Sequence, residues 1–190
     1  MRLSYFFIFF LVQFPSFAQI NLEKDILGKW EYSFSMRDTD PTFGERTINI
    51  VSLFSYNDDS TLEYTSDIFV LLYIDFLDTT FHLKYHMEST DNYWYIEDRR
   101  KIINKIRSGD VRLVESYFES NLENTEVAKT LLNEIEKKME KNINDTNKEM
   151  IKIWKCGTLI RRTENGKVKK IEDYLYVNYS HITAVFKRVK

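Results

Sequence analysis

Alternation of apolar and polar side chains is the feature that most restricts how this chain folds. Between Phe81 and Glu88 every second residue is apolar, and a similar alternation runs from Trp30 to Met36. A repeat of two residues places the apolar side chains on one face of a β-strand, because successive side chains point to opposite faces. Only five glycines and two prolines occur in the 190 residues, so long strands are expected. The chain is therefore predicted to be mainly β.

Short turn-forming segments separate most of the apolar stretches. Residues 57–60 and 78–80 are rich in turn-forming side chains, and Asn165-Gly166 is typical of a tight hairpin because both residues tolerate a positive φ. Strands that follow one another through short turns pair as an antiparallel meander. Closing about eight or nine such strands into a barrel removes the exposed sheet edges. We therefore predict a single antiparallel up-and-down β-barrel.

One segment departs from the two-residue repeat. Apolar residues recur there every three or four positions, in two successive sets: Val111, Val114, Phe118 and Leu122, then Val127, Leu131, Ile135 and Met139. This spacing is typical of helices, and we predict a two-helix insertion around residues 111–141. The second set is called the helical stripe below. Two interpretations of it remain open, since it either packs on its own domain or binds a partner protein.

The first 18 residues have the layout of a secretory signal peptide. Arg2 provides a positive start, residues 5–14 are almost wholly apolar, and Ser16 and Ala18 place small residues before the cleavage point. The apolar run is much shorter than the roughly 20 residues that a membrane-spanning helix needs. We predict cleavage after Ala18, export to the periplasm or the extracellular space, and a mature domain of residues 19–190 without a membrane span.

Charge is distributed unevenly along the chain. Residues 19–147 carry 15 basic and 25 acidic side chains, whereas residues 148–190 carry 11 basic and 4 acidic ones. An acidic overall balance disfavours general nucleic-acid binding. Basic residues cluster around one predicted turn, which we call the basic hairpin: Arg161, Arg162, Lys167, Lys169 and Lys170. Two interpretations stay open, because these residues either contact an anionic partner or complement acidic residues on neighbouring strands.

Gly28-Lys29-Trp30, at the start of the first strand, resembles the Gly-x-Trp signature of lipocalins and of secreted bacterial lipocalin-like proteins. In that family a tryptophan plugs one end of an eight-stranded barrel, and an arginine from the last strand lies across it. Arg188 occupies the matching place here, where a cation–π contact would seal the closed end of the barrel. The resemblance implies a lipocalin-like fold with Gly28, Trp30 and Arg188 as closure residues.

Residues suited to catalysis or metal binding form no recognisable site in the sequence. His82, His86 and Glu88 share a strand face, but four residues along a strand span ~13 Å, whereas two nitrogens bound to one zinc ion lie within ~4 Å. Cys156 has no second cysteine for a disulfide and is expected to be a small buried hydrophobe. We therefore predict a protein that is not an enzyme and needs no metal or other cofactor.

The candidate ligand site consists of inward-facing residues of two predicted strands: Tyr32, Phe34, Met36, Leu83, Tyr85 and Met87. They either line a calyx for a small apolar or amphipathic molecule or fill the barrel interior. In a calyx, hydroxyls of Tyr32, Tyr64 and Tyr85 would orient a polar head group. The basic residues after Lys155 favour a fatty-acid-like anion. The alternative function is an envelope-associated or extracellular protein-interaction domain with a filled barrel, which uses the helical insertion or the basic hairpin as its contact surface.

Overall fold

The computed structural model describes residues 22–40, 44–98, 101–107, 109, 111–120, 125–159, 163–164, 167–168, 174–179 and 182–190. The predicted signal peptide of residues 1–18 lies outside the described residues. Within the described ranges the chain is mainly β, and its strand pairings are antiparallel.

The described strands, in chain order, are β1 (Gly28–Asp40), β2 (Gly44–Tyr56), β3 (Thr61–Ile74), β4 (Thr79–Glu97), β5 (Lys101–Lys105), β6 (Arg112–Ser120), β7 (Cys156–Leu159), β8 (Thr163–Glu164), β9 (Lys167–Val168), β10 (Tyr174–Tyr179) and β11 (Ile182–Arg188). Helix α1 (Leu22–Asp25) precedes β1, and helix α2 (Thr125–Trp154) follows β6. A 3₁₀ turn over Asp75–Leu77 joins β3 to β4.

Eight of the described strands pair in a closed circuit that follows chain order. The neighbours are β1, β2, β3, β4, β5, β7, β10 and β11, and β11 pairs back onto β1. Each of these pairings is antiparallel. The barrel-like antiparallel class predicted from the alternating pattern is therefore confirmed by the circuit of strand pairings.

Closure of this circuit is confined to one end of the barrel. There Trp30 of β1 is paired with Arg188 of β11, and the short strand β5 is paired with the last residues of β4. At the other end the long strands β1 to β4 continue as a curled sheet, and β6 adds to it along the first half of β4. We call these the closed end and the open end.

The predicted two-helix insertion around residues 111–141 is wrong in its first half. Residues Arg112–Ser120 form β6, which pairs with β4. The register shifts where Lys84 faces Glu115 and Tyr85 faces Leu113, so that Val114 has no partner of its own. Such a bulge inserts one extra residue and separates successive inward positions by three residues instead of two. Val114 is 55% exposed, whereas Val111 is buried and Phe118 packs on the core. The spacing of these three residues therefore matched a helix face although they do not share one face of β6.

The second half of the insertion is one helix of 30 residues, longer than predicted. Its apolar face continues beyond the helical stripe through Ile143 and Ile151 to Trp154, all of which are buried. At the open end Ser116 of β6 donates a hydrogen bond to Glu136 of α2. At its last residue α2 reaches the aromatic interior of the closed end. No helix in the described ranges is both long enough and apolar enough to cross a membrane.

The helical stripe packs mainly on its own domain. Ile135 is fully buried, Met139 is 1% exposed and Leu131 is partly buried, whereas Val127 near the start of α2 is 47% exposed. A buried stripe is not available as a contact surface for another protein. Of the two interpretations of the helical stripe, packing on its own domain therefore describes the structure.

A pH-dependent ion pair joins β1 to β2 near the open end. Arg46 donates hydrogen bonds from Nε to Oδ1 (2.9 Å) and from Nη2 to Oδ2 (2.6 Å) of Asp38, and this lowers the pKa of the Asp38 carboxyl. The folded chain thus holds that proton less readily than the unfolded chain. The pair therefore stabilises the fold at neutral pH, and its contribution is lost as the pH falls below ~3.9 through the folded pKa.

We expect Asp38→Asn to lower the free energy of unfolding near neutral pH by about 1 kcal/mol or less, because the pair is partly exposed. The loss of stability on acidification should also be smaller in this variant than in the parent. Urea unfolding at neutral pH and near pH 3 measures both effects. Asp58→Asn, in the exposed turn before β3, is the matched control. An unchanged pH dependence in Asp38→Asn would contradict the assignment.

Candidate functional site

The closed end is sealed by Trp30, Arg188 and the residues of α1. The guanidinium carbon of Arg188 lies 4.2 Å from the centroid of the Trp30 ring. Arg188 also donates to the carbonyl oxygens of Leu27 (2.7 Å) and Asp25 (2.6 Å). The indole Nε1 of Trp30 donates to the carbonyl of Ile26 at 2.6 Å. Trp30 is thus fixed both by its own hydrogen bond and by a cation over its face.

Gly28 allows this arrangement through its backbone conformation and its lack of a side chain. Its φ is +107°, in a region that residues with a Cβ rarely adopt. A Cβ at this position would lie 3.1 Å from Nη1 of Arg188. The structure therefore brings together Gly28, Trp30 and Arg188, the three residues that the lipocalin resemblance implies for barrel closure.

A cavity of about 110 Å³ lies between α2 and the inner faces of β1, β2 and β3. Strand residues form one side of it: Tyr32, Phe34, Met36, Ile48, Ile50, Ser52, Tyr64, Ser66 and Ile68. Helix α2 forms the other side: Ile143, Thr146, Asn147, Met150 and Trp154. Each of these side chains is uncharged at neutral pH, and most are apolar, so the cavity suits an apolar or weakly polar occupant.

Only half of the predicted ligand site lines this cavity. Tyr32, Phe34 and Met36 are on its wall, whereas Leu83, Tyr85 and Met87 of β4 are not among the lining residues. The β4 residues are buried instead, with Tyr85 fully inaccessible to solvent.

Helix α2 separates these two sets of residues. Its Trp154 contacts Tyr32 of β1, with ring centroids 5.0 Å apart, and its Asn147 Nδ2 lies 2.7 Å from Sδ of Met87 in β4. Burial of Tyr85, together with Glu136 and Glu140 of α2, raises the pKa of the Tyr85 hydroxyl. The interior is therefore filled on the β4 side of α2 and contains a cavity on the β1 side.

The sequence prediction missed the cavity residues that α2 contributes. Ile143, Asn147 and Trp154 continue the spacing of the helical stripe, so a signal was present in the sequence. The predicted insertion nevertheless ends near residue 141, because polar side chains predominate in residues 142–148. Polar residues are acceptable there because most of them, such as Asp145, Lys148 and Glu149, are exposed on the outer side of the helix.

The other candidate residues lie away from the cavity. His86 Nδ1 is 2.7 Å from Oδ1 of Asp67, and His82 stacks on Tyr117 with ring centroids 4.4 Å apart, so the two imidazoles have partners on different strands. Among the described residues there is no group of three or more His, Cys, Asp or Glu side chains that could hold a metal ion. For Cys156 only the backbone, in β7, is described.

The basic hairpin is described only in part. β8 pairs with β9 through Glu164 and Lys167, which confirms the predicted hairpin pairing. The turn residues 165 and 166, and the basic residues Arg161, Arg162, Lys169 and Lys170, lie outside the described residues, so their proposed contact with an anion stays a prediction.

Sequence comparison does not connect the chain with a known family: no family model matches it, and no curated protein sequence does. The resemblance to lipocalins noted in the sequence therefore stays a prediction. A function has to be inferred from the geometry of the chain itself.

Proposed function

We propose that this chain is an exported, lipocalin-like binding protein for a small apolar or amphipathic molecule, and that it is not an enzyme. The observation that carries the proposal is the cavity between α2 and the inner faces of β1 to β3. Water in a mainly apolar cavity makes few hydrogen bonds, so an apolar ligand displaces it favourably. Binding of this kind needs no reactive side chain.

The lipocalin-like part of the proposal is supported by the closed end. A tryptophan near the start of the first long strand, covered by an arginine from the last strand, seals one end of a meander that follows chain order. Sealing one end leaves the cavity to be entered from the other, where Phe34 is 43% exposed. A barrel closed at one end is a suitable container for a small molecule.

The size of the cavity restricts the ligand. A volume of about 110 Å³ is smaller than the ~150 Å³ of an apolar cavity that binds benzene, and pockets for larger ligands measure ~300–1,000 Å³. A single-ring molecule, or the end of an alkyl chain, fits with part of it extending past Phe34 toward the mouth. A complete fatty-acid-like ligand would have to extend past Phe34 or displace α2 from β1.

Filling the cavity tests the proposal. Ile50→Trp places a larger side chain inside it, and we expect toluene to bind the parent protein and to bind this variant at least ~10-fold more weakly, or about 1.4 kcal/mol. Hexanoate serves as the fatty-acid-like probe. Chemical-shift changes of cavity amides and methyl groups in NMR titrations report both affinities.

The matched control is Val51→Trp, which adds the same side chain on the opposite face of the same strand. It should leave toluene binding unchanged. Unfolding curves establish that both variants are folded. Absence of toluene and hexanoate binding to the folded parent, or equal binding to both tryptophan variants, would overturn the proposed function.

A further inference from the structure

Three hydroxyl groups are clustered on the wall of the cavity, at the middle of the β2–β3 pair. Ser52 and Ser66 face each other across the two strands, with their Oγ atoms 3.1 Å apart. Tyr64, two residues before Ser66 on the same face, has its hydroxyl within hydrogen-bonding reach of both serines. All three line the cavity, and their exposed fractions are 2% for Ser52, 4% for Ser66 and 2% for Tyr64. We call them the hydroxyl cluster.

The cluster retains hydrogen-bonding capacity after its internal contacts are made. Each hydroxyl has one donor and two acceptor positions, and its hydrogen rotates to suit its partner. Three hydroxyls have three donor and six acceptor positions between them, so internal bonds such as the one between Ser52 and Ser66 always leave acceptor positions open. In an otherwise apolar cavity, a ligand group that fills these positions gains more than it would at a wet surface.

The cluster is electrically neutral. Burial raises the pKa of the Tyr64 hydroxyl, and the hydrogen bonds from the two serines only partly oppose this rise. None of the described residues that line the cavity is Lys or Arg. A carboxylate placed beside the cluster would therefore lose its hydration without meeting a cation, which is strongly unfavourable.

We infer that the hydroxyl cluster binds the polar group of a small neutral amphipathic ligand that can donate a hydrogen bond, such as an alcohol, with the polar group inward. The apolar part of the ligand then lies against Phe34 and Met36 toward the mouth. This inference depends on the proposed function and specifies it further. The basic residues after Lys155 led us to expect a fatty-acid-like anion instead. Such an anion would keep its head group outside the cavity, whereas the ligand inferred here places its polar group inside it.

Three probes of similar size but different polar groups test the inference: toluene, benzyl alcohol and benzoate. The parent protein should bind benzyl alcohol more tightly than benzoate. In Tyr64→Phe and in the double variant Ser52→Ala/Ser66→Ala, benzyl alcohol should bind roughly three- to tenfold more weakly, the effect of losing one hydrogen bond of ordinary strength. Toluene should bind these variants as tightly as the parent or more tightly.

Ser33→Ala is the matched control, since Ser33 is exposed on the outer face of β1. Tyr64→Phe keeps the shape of the ring, so the test survives if the double variant does not fold. If toluene binds the parent but the variants leave benzyl alcohol binding unchanged, or if benzoate binds most tightly, the inference is overturned while the proposed function stands. If no probe binds the folded parent, both fail.

Discussion

Replacing Trp154 by alanine is expected to lower the free energy of unfolding by about 3–5 kcal/mol, the range for deletion of a large buried aromatic side chain. Trp154 is 1% exposed at the end of α2. Its ring contacts Tyr179 at 4.6 Å and Phe186 at 5.5 Å between centroids, both near edge-to-face. It also contacts Tyr32 and Phe54, so its loss leaves a space among rings from four strands.

Chemical denaturation with circular dichroism measures the effect of Trp154→Ala. Hydrogen exchange should also become faster along the last turns of α2, because Trp154 holds this end of the helix in the barrel. Phe76→Ala removes an aromatic side chain that is 78% exposed and should change stability by less than ~0.5 kcal/mol. An unchanged denaturation midpoint for Trp154→Ala would show that α2 does not end inside the barrel.

Replacing Trp30 by alanine should also lower the free energy of unfolding by about 3–5 kcal/mol. Here the local loss of protection from hydrogen exchange should appear at α1 and not at α2. Trp30 is 1% exposed and its indole holds the carbonyl of Ile26. Without the ring, Arg188 loses its cation–π partner but keeps its bonds to the carbonyls of Leu27 and Asp25. The void lies beneath α1, so amides of residues 22–27 should exchange faster while those of α2 keep their protection.

Val185→Ala is the control for Trp30→Ala, because Val185 lies on the same strand as Arg188 but is 41% exposed. A Trp30→Ala variant with the denaturation midpoint of the parent would remove the support for a lipocalin-like closed end. The two tryptophan variants also distinguish two parts of one core. If both accelerated exchange in the same segment, the closed end and the end of α2 would act as one cooperative unit.

The strands at the start of the chain were predictable because their signal is local. In the first half of β4, buried and partly exposed side chains alternate without interruption. β1 pairs with β2 in an unbroken register, so its successive side chains also point to opposite faces. Gly28, Trp30 and Arg188 were identified through a family resemblance. Their contact joins residues at the two ends of the domain, and no local pattern predicts such a pairing.

β6 and α2 show where local patterns are insufficient. Val114, at the bulge in β6, is exposed, so its spacing from Val111 and Phe118 resembled a helix face without marking one face of the strand. In α2, the polar residues after residue 141 led to a predicted helix end near that position, although only one face of a helix has to be apolar. In both cases the deciding factor was the element against which the segment packs.

The sequence by itself determined the mainly β class, the antiparallel meander and the predicted inner faces of β1 and β4, because alternation is a property of neighbouring residues. Only the tertiary structure decided which of those inner faces borders an open space. Helix α2 crosses the interior with Asn147 against Met87 and Trp154 against Tyr32, so it fills the side of β4 and leaves the cavity beside β1. Where a helix comes to lie in a barrel depends on the volumes of side chains brought together from distant parts of the chain, and close packing allows very few such arrangements.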